Sequence, residues 1–397
     1  MDVTQQPKAS PTPLAASLLL TAMASIGTGV LWNGLPFIAR IEYGFGKVEN
    51  LLLYLLIGVV YVAGSLTASA MLRWLGERAS SRAVLTLILA VQSLTCALPL
   101  VADGPWIIWM TGGGISLCSA WLWPIVESYL VSGRHGQDMR RAIGWWNIIW
   151  MVATAGAMFA IAPLMDQHAS LAIVALGGAS MLGTLALPWY GQSPAHHDEH
   201  QAKTVVPLHY PQLLRGARLL LPLSYGINGV LAALLPFLLA SLEVPIPLQT
   251  PLAATWMLSR LAATTMMWKW PHWHGRWSLL FAAAIAMATG FGLVAAAGNI
   301  AILIAGLAVF GAGMGIVYYA ALYYAMAVGR AGVDAGGMHE ALIGCGYAAG
   351  PVAGLAAVAT EGSTSETPWT LMSIAGVSLG IGLVGLLMAF RGRHPTH

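Results

Sequence analysis

Apolar residues gather into twelve runs along the chain, separated by short polar joints. The runs cover residues 14–39, 48–72, 83–101, 105–131, 142–165, 169–190, 216–241, 248–269, 278–297, 300–328, 339–360 and 368–390. Each is about 19 to 29 residues long, enough for a helix to cross the hydrocarbon core with some tilt. The pattern predicts an all-α membrane protein with twelve transmembrane helices.

The joints carry basic residues almost strictly on alternate sides. With the N-terminus inside, the inner segments hold Lys8, Arg73, Arg78, Arg82, Arg134, Arg140, Arg141, Lys203, Arg215, Arg218, Lys269, Arg276, Arg330, Arg391 and Arg393. The outer loops hold only Arg40 and Lys47, and Arg260 lies within a run. Lys and Arg stay preferentially on the cytoplasmic side, so an even number of spans with both termini cytoplasmic is expected.

The longest non-apolar joint, 191–214, contains Pro194, the polar run His196, His197, Asp198, Glu199 and His200, then Pro207 and Pro211. It divides the chain into an N-terminal six-helix bundle (1–190), a cytoplasmic linker (191–214) and a C-terminal six-helix bundle (215–397). Adjacent histidines in a solvated linker read as polar filler, and no metal site or cofactor is expected. A faint duplication supports the division. Leu35, Pro36 and Phe37 recur as Leu235, Pro236 and Phe237; Trp74 and Gly76 recur as Trp273 and Gly275; Ile143 and Gly144 recur as Ile343 and Gly344, always 199 or 200 residues on. Two parallel pseudo-repeats follow.

Composition changes little in this picture. Apolar residues make up 58% of the chain and charged residues 8%, more greasy surface than one soluble core can hide. The net charge of +3 is dispersed over membrane-proximal joints, which excludes a nucleic-acid face. Cys96, Cys118 and Cys345 lie in apolar runs as small packing residues. There is no phosphate-cradling Gly-Lys-Ser/Thr loop, no His-Glu-x-x-His and no nucleophile with a base, so no enzyme is expected. A repeated filter or acidic ring, as a channel requires, is also missing.

Taken together, the twelve spans, six-plus-six repeat and central linker resemble the major facilitator superfamily of secondary transporters over essentially the whole chain. Leu75, Gly76, Glu77, Arg78, Ala79, Ser80, Ser81 and Arg82 after the second run are similar to that family's Gly-x-Leu-Ala-Asp-Arg-x-Gly-Arg-Arg motif, with Arg73 in place of the leading Gly and Ser80 of the inner one. Glu127 and Arg134 have the acid-to-Arg spacing found after its fourth helix. Gly346, Gly350, Pro351 and Gly354 look like the family's antiporter pattern, although here in the eleventh run. The Arg that its drug exporters place early in helix 4 is replaced by the neighbourhood Trp109, Met110 and Thr111. The resemblance implies rocker-switch alternating access, with Glu77, Arg78, Glu127, Arg134, Arg141 and Glu340 as candidates for a gating charge network. For Glu127 the expected partner is Arg134 or Arg141, and Glu340 is read as a cap or gate element at the start of its helix.

Arg260 is the sharpest chemical signal. It lies near the middle of the eighth run, where a guanidinium costs roughly 2.5 to 3.5 kcal/mol on an insertion scale, and no Asp or Glu is expected at comparable depth. Either it faces a wet cavity and pairs with an anionic substrate, or it is a strut held by carbonyls, Asn or Tyr. Asn33, Asn228, Trp256, Tyr61, Trp146, Tyr319, Tyr323 and Tyr347 are the other candidate substrate contacts, because an aromatic wall beside one cation suits an amphipathic organic anion. For the asparagines, tying neighbouring helices together is the alternative role.

The expected function is therefore secondary active transport of a small amphipathic organic anion or metabolite, with or without a coupling proton or ion. The protein is expected to act as a monomer in a prokaryotic inner membrane. Multidrug-type export of hydrophobic or cationic compounds, with Glu127 as the charge partner, is the alternative, and a non-transporting receptor with the same fold is a third reading.

Overall fold

Helices replace the apolar runs because, in lipid, only a helix satisfies every backbone polar group within its own segment. A computed structural model of the chain describes residues 11–76, 78–134, 136–195, 207–328 and 333–361, together with 382–383, 385–387 and 390. Among these residues there is no strand, and ten helices are long and apolar enough to cross a membrane. The elements that matter for the site are α1 (Leu14–Tyr43), α2 (Lys47–Gly76), α3 (Ser81–Cys96), α4 (Trp106–Val131), α5 (Gly136–Ile161), α6 (Leu171–Gly183), α7 (Tyr210–Ser241), α8 (Ile246–Ala253), α9 (Thr255–Lys269), α10 (Trp277–Ala295), α11 (Ile300–Ala327) and α12 (Val333–Glu361).

Two of the twelve expected spans are not among the ten. The eighth is not one continuous helix but the pair α8 and α9, interrupted at Ala254. At the interruption the Met257 N–H turns to the Ala254 carbonyl three residues back, a tightened turn between the two helices. The twelfth, 368–390, lies almost wholly outside the described residues, as do Glu77 and the His196, His197 and His200 run.

Near the middle of α1 the α spacing gives way to one π turn, Val30–Gly34, closed by the Leu35 N–H on the Val30 carbonyl. Such turns are rare and cluster at functional sites. Pro36 supplies a local reason for the disturbance, because it has no N–H to give the Trp32 carbonyl four residues earlier. The Tyr54 hydroxyl of α2 donates to that carbonyl at 2.5 Å instead. Nearby, the Asn50 amide in the first turn of α2 donates to two carbonyls on different helices, Pro36 of α1 at 3.1 Å and Ala233 of α7 at 3.3 Å.

The helix α12 runs between α2 and α7 with almost no side chain in the way. On one side a Cβ added to Gly350 would lie 2.0 Å from the Gly226 carbonyl oxygen of α7, and one at Gly346 would lie 2.4 Å from the Pro222 oxygen. On the other side Gly337 meets the Ser65 carbonyl and Gly344 meets Val62 of α2. Gly58 of α2 returns the contact, a Cβ there falling 2.5 Å from the Ala348 nitrogen. Small residues permit this close backbone approach, and in lipid such packing, rather than hydrophobic burial, holds helices together.

A second close crossing positions the buried cation. Gly315 of α11 lies under Arg260 of α9, where a Cβ would be 2.9 Å from the Arg260 carbonyl oxygen and 3.1 Å from its Cα. The side chain of Tyr318, three residues further along α11, is thereby brought beside the guanidinium.

Candidate functional site

Eight helices converge on one cavity. It is lined by Thr28, Trp32 and Asn33 of α1, Tyr61 of α2, Trp123 of α4, and Trp146, Trp150 and Thr154 of α5. Tyr225 of α7, Trp256 and Arg260 of α9, Tyr318 of α11, and Glu340, Ile343 and Tyr347 of α12 complete the wall. Its volume is about 40 Å³, room for about three water molecules at 10–15 Å³ apiece. Rings close it: Trp32 stacks on Tyr347 with centroids 3.9 Å apart and planes 16° from parallel, joining α1 to α12. Trp150 of α5 lies parallel to Tyr318 of α11 at 5.8 Å.

Arg260 is 1% exposed. One guanidinium nitrogen, Nη2, donates to the Tyr225 hydroxyl at 3.0 Å. The charge lies over the faces of Tyr318 and Trp150, 4.3 and 4.6 Å from their centroids, with Tyr225 and Trp256 at 5.6 and 6.0 Å. Ring quadrupoles stabilise a desolvated cation in this position. Its Nε is buried with no hydrogen-bond partner among the described residues. The strut reading thus has its tyrosine, and the cavity reading has one unspent donor, Nε.

Of the residues singled out from the sequence, Arg260, Asn33, Trp256, Tyr61, Trp146 and Tyr347 meet around this cavity. Asn228 stands one layer behind and donates to the Tyr347 hydroxyl at 3.1 Å. Tyr319 and Tyr323 point elsewhere: Tyr319 meets the Trp273 ring edge-on, and Tyr323 stacks on His274 at 4.3 Å. Helix geometry accounts for the division. At about 100° per residue, a helix that turns Tyr318 inward turns Tyr319 and Tyr323 away. Tyr225, Trp150, Trp123, Thr28, Thr154 and Ile343 were not chosen from the sequence. The available signal was spacing, since Tyr225 precedes Asn228 by three residues and Trp150 follows Trp146 by four, each on one helix face.

The charge network departs from expectation in two places. Glu340 is not a cap, because α12 begins at Val333 and places Glu340 about two turns in, on the cavity wall. It accepts a hydrogen bond from the Tyr61 hydroxyl. An acid therefore does share the cavity with Arg260, contrary to the reading of the sequence. Glu127 does not pair with Arg134 or Arg141. Its Oε1 is buried without a hydrogen-bond partner among the described residues, and Arg141 is exposed. Gly133, with φ +71°, reverses the chain after α4, so Arg134 folds back over the helix end and donates to the Tyr129 and Leu130 carbonyls and to Thr12. Those carbonyls are the ones a helix C-terminus leaves unsatisfied. Asp138 is 3.7 Å from Arg134 but itself 65% exposed, which makes that pair weak. Arg78 is exposed and lies 5.4 Å over the Trp74 ring.

His274, in the joint between α9 and α10, has its Nδ1 3.3 Å from the Tyr323 hydroxyl. Burial, and then the nearby Arg140 charge, hold its imidazole below the ordinary value of 6.5. A histidine depressed in this way favours the folded state above 6.5, and that contribution is lost as pH falls and the unfolded chain takes the proton first. The melting temperature is thus expected to fall between about pH 7 and about pH 5, and the fall to be shallower in His274→Phe, which keeps a ring against Tyr323. Identical pH profiles for the two proteins would contradict the assignment.

No family model matches the chain, and no curated relative does. Solved structures do. The chain is similar to the nucleoside transporter NupG at 14% identity and a TM-score of 0.67, covering 96% of this chain and 99% of that one. It is equally similar to a bacterial homolog of the human lysosomal transporter Spinster in an inward-facing, unoccupied conformation, at 12% identity and a TM-score of 0.67 over 95% of this chain and 96% of that one. The occupied form of the same homolog gives a TM-score of 0.63 at 13% identity, with the same coverage. The arrangement is that of a multi-pass membrane protein with a transporter fold. More narrowly, it is the fold shared by these solved transporters, matched over almost the whole of this chain.

Proposed function

We propose that the protein is a secondary transporter that moves a small amphipathic organic anion across the bilayer by alternating access. In this reading twelve spans form two six-helix bundles, 1–190 and 215–397, joined by the 191–214 linker. Both termini are cytoplasmic, and the protein works as a monomer in a prokaryotic inner membrane, without enzymatic activity. Glu77 and Arg78 serve as a gate on the cytoplasmic side.

One observation carries the proposal: Arg260 is fully buried on the wall of a ring-lined cavity with Nε unspent. Donors left unsatisfied at that depth are costly unless something arrives to accept from them. The cavity is bounded by helices from both proposed bundles, which is where a rocking pair of bundles exposes a site first to one side and then to the other. Its small volume also supports a machine that must move, because a ring-bearing solute fits only if the Trp32–Tyr347 stack parts. The similar structures named above are transporters, which supports the general function; their own substrates are not carried over.

Glu340 on the same wall favours a second reading, export of cationic or hydrophobic compounds, with Glu340 rather than Glu127 as the charge partner. Flux measurements in proteoliposomes across matched anionic and cationic panels separate the two. Saturable flux of anions, competed by other anions and not by cations, is the expected result; saturable flux of cations alone would transfer the proposal to the exporter reading. Ligand binding with no flux of any solute would point to the receptor.

A further inference from the structure

Arg260 and Glu340, a base and an acid, share one cavity wall, yet they do not pair directly. Among the described residues no guanidinium nitrogen of Arg260 comes within 4.0 Å of a Glu340 oxygen. A buried Arg and carboxylate free to meet would close into a bidentate pair at about 2.8 Å, the geometry that best offsets their desolvation. Each is instead steadied by a tyrosine. Tyr225 accepts from one of the five guanidinium N–H groups, and Tyr61 donates to one Glu340 oxygen. A tyrosine orients a charge without cancelling it, so both ions keep capacity for a visitor. The wall beside them is aromatic, with Trp32 and Tyr347 stacked and Trp146 on the neighbouring helix.

Building on the Arg260 reading above, we infer that the transported solute carries both signs: an anionic group that accepts from Arg260 and a protonated amine that donates to Glu340, on a flat apolar body that slips in where Trp32 and Tyr347 now stack. A simple anion would lie next to an uncancelled carboxylate, whose repulsion is magnified away from water. A zwitterion leaves neither wall charge unmatched and brings no net charge into the bilayer. The tyrosines act as positioning residues, holding the two charges apart at the span of the solute.

The test uses purified full-length protein and two probe series sharing one aromatic body each. These are tryptophan, indole-3-propionate and tryptamine, and phenylalanine, 3-phenylpropionate and phenethylamine. Binding is read by thermal stabilisation and by counterflow in proteoliposomes. In at least one series the zwitterion is expected to bind about tenfold more tightly than the matched anion, the worth of one charge-assisted hydrogen bond. Glu340→Gln is expected to erase that advantage while leaving the anion bound at least as well. The wild-type comparison stands by itself if Glu340→Gln does not fold, and Tyr61→Phe, which frees the carboxylate from its anchor, should shrink the advantage several-fold. A zwitterion that does no better than its anion in both series overturns the inference. If anions then still bind and require Arg260, the anion transporter survives without it; if the amines bind best, both readings fall.

Discussion

Arg260→Ala abolishes high-affinity uptake of the organic substrate while leaving the melting temperature nearly unchanged. The two halves of that expectation come from different magnitudes. Placing a guanidinium at mid-membrane costs about 2.5–3.5 kcal/mol on an insertion scale, whereas each close ring face returns about 0.5–2 kcal/mol. With Tyr318 and Trp150 as the near faces, cost and return largely offset, so the residue contributes little to stability. For recognition the balance differs. Losing a charge-assisted contact to the solute removes about 1.5–3 kcal/mol, roughly ten- to a hundredfold in affinity. Arg260→Lys keeps the charge and loses the planar fork, so it should fall between. Uptake with unaltered affinity in Arg260→Ala would reduce Arg260 to a strut for Tyr225. A large drop in melting temperature with normal uptake would do the same.

Gly350→Leu is expected to prevent accumulation of folded protein, and Gly350→Ala to lower the melting temperature by several degrees. The neighbour at Gly350 is the Gly226 carbonyl, so an added methyl meets backbone rather than a side chain that can swing aside. Overpacking in ordinary cores costs about 1–3 kcal/mol, and here relief requires moving a whole helix. Gly156→Ala is the matched control, since a Cβ there meets nothing within 4 Å and alanine is the better helix former by about 1 kcal/mol. If Gly350→Ala melts like Gly156→Ala, the tight α7–α12 crossing is wrong.

Much of the fold was legible because lipid enforces a simple rule on every segment that crosses it. The failures occurred where that rule is silent. Hydropathy marks where the lipid ends, not where the helix ends. The polar turns of α12 from Val333 onward are therefore invisible to it, and hydropathy alone puts Glu340 in a first turn when it sits on the cavity wall. The break at Ala254 between α8 and α9 leaves no mark in hydropathy, because an apolar run reads straight through it. Arg260 stood out because a charge inside such a run is expensive. Its neighbours did not, since α11 is apolar all round and offers no stripe from which to tell that Tyr318 faces inward while Tyr319 and Tyr323 do not. Glu127 and Arg134 had a suggestive spacing, yet Gly133 turned the Arg back onto the carbonyls of its own helix.

The Asn50 amide, with its two protons shared between the carbonyls of Pro36 and Ala233, sets the strength of a catch. Two neutral hydrogen bonds contribute about 1–3 kcal/mol together, which biases a two-state equilibrium by roughly five- to a hundredfold. Such a clasp keeps α1, α2 and α7 fastened at rest, yet a cargo that prefers the unfastened arrangement by a comparable margin is enough to spring it.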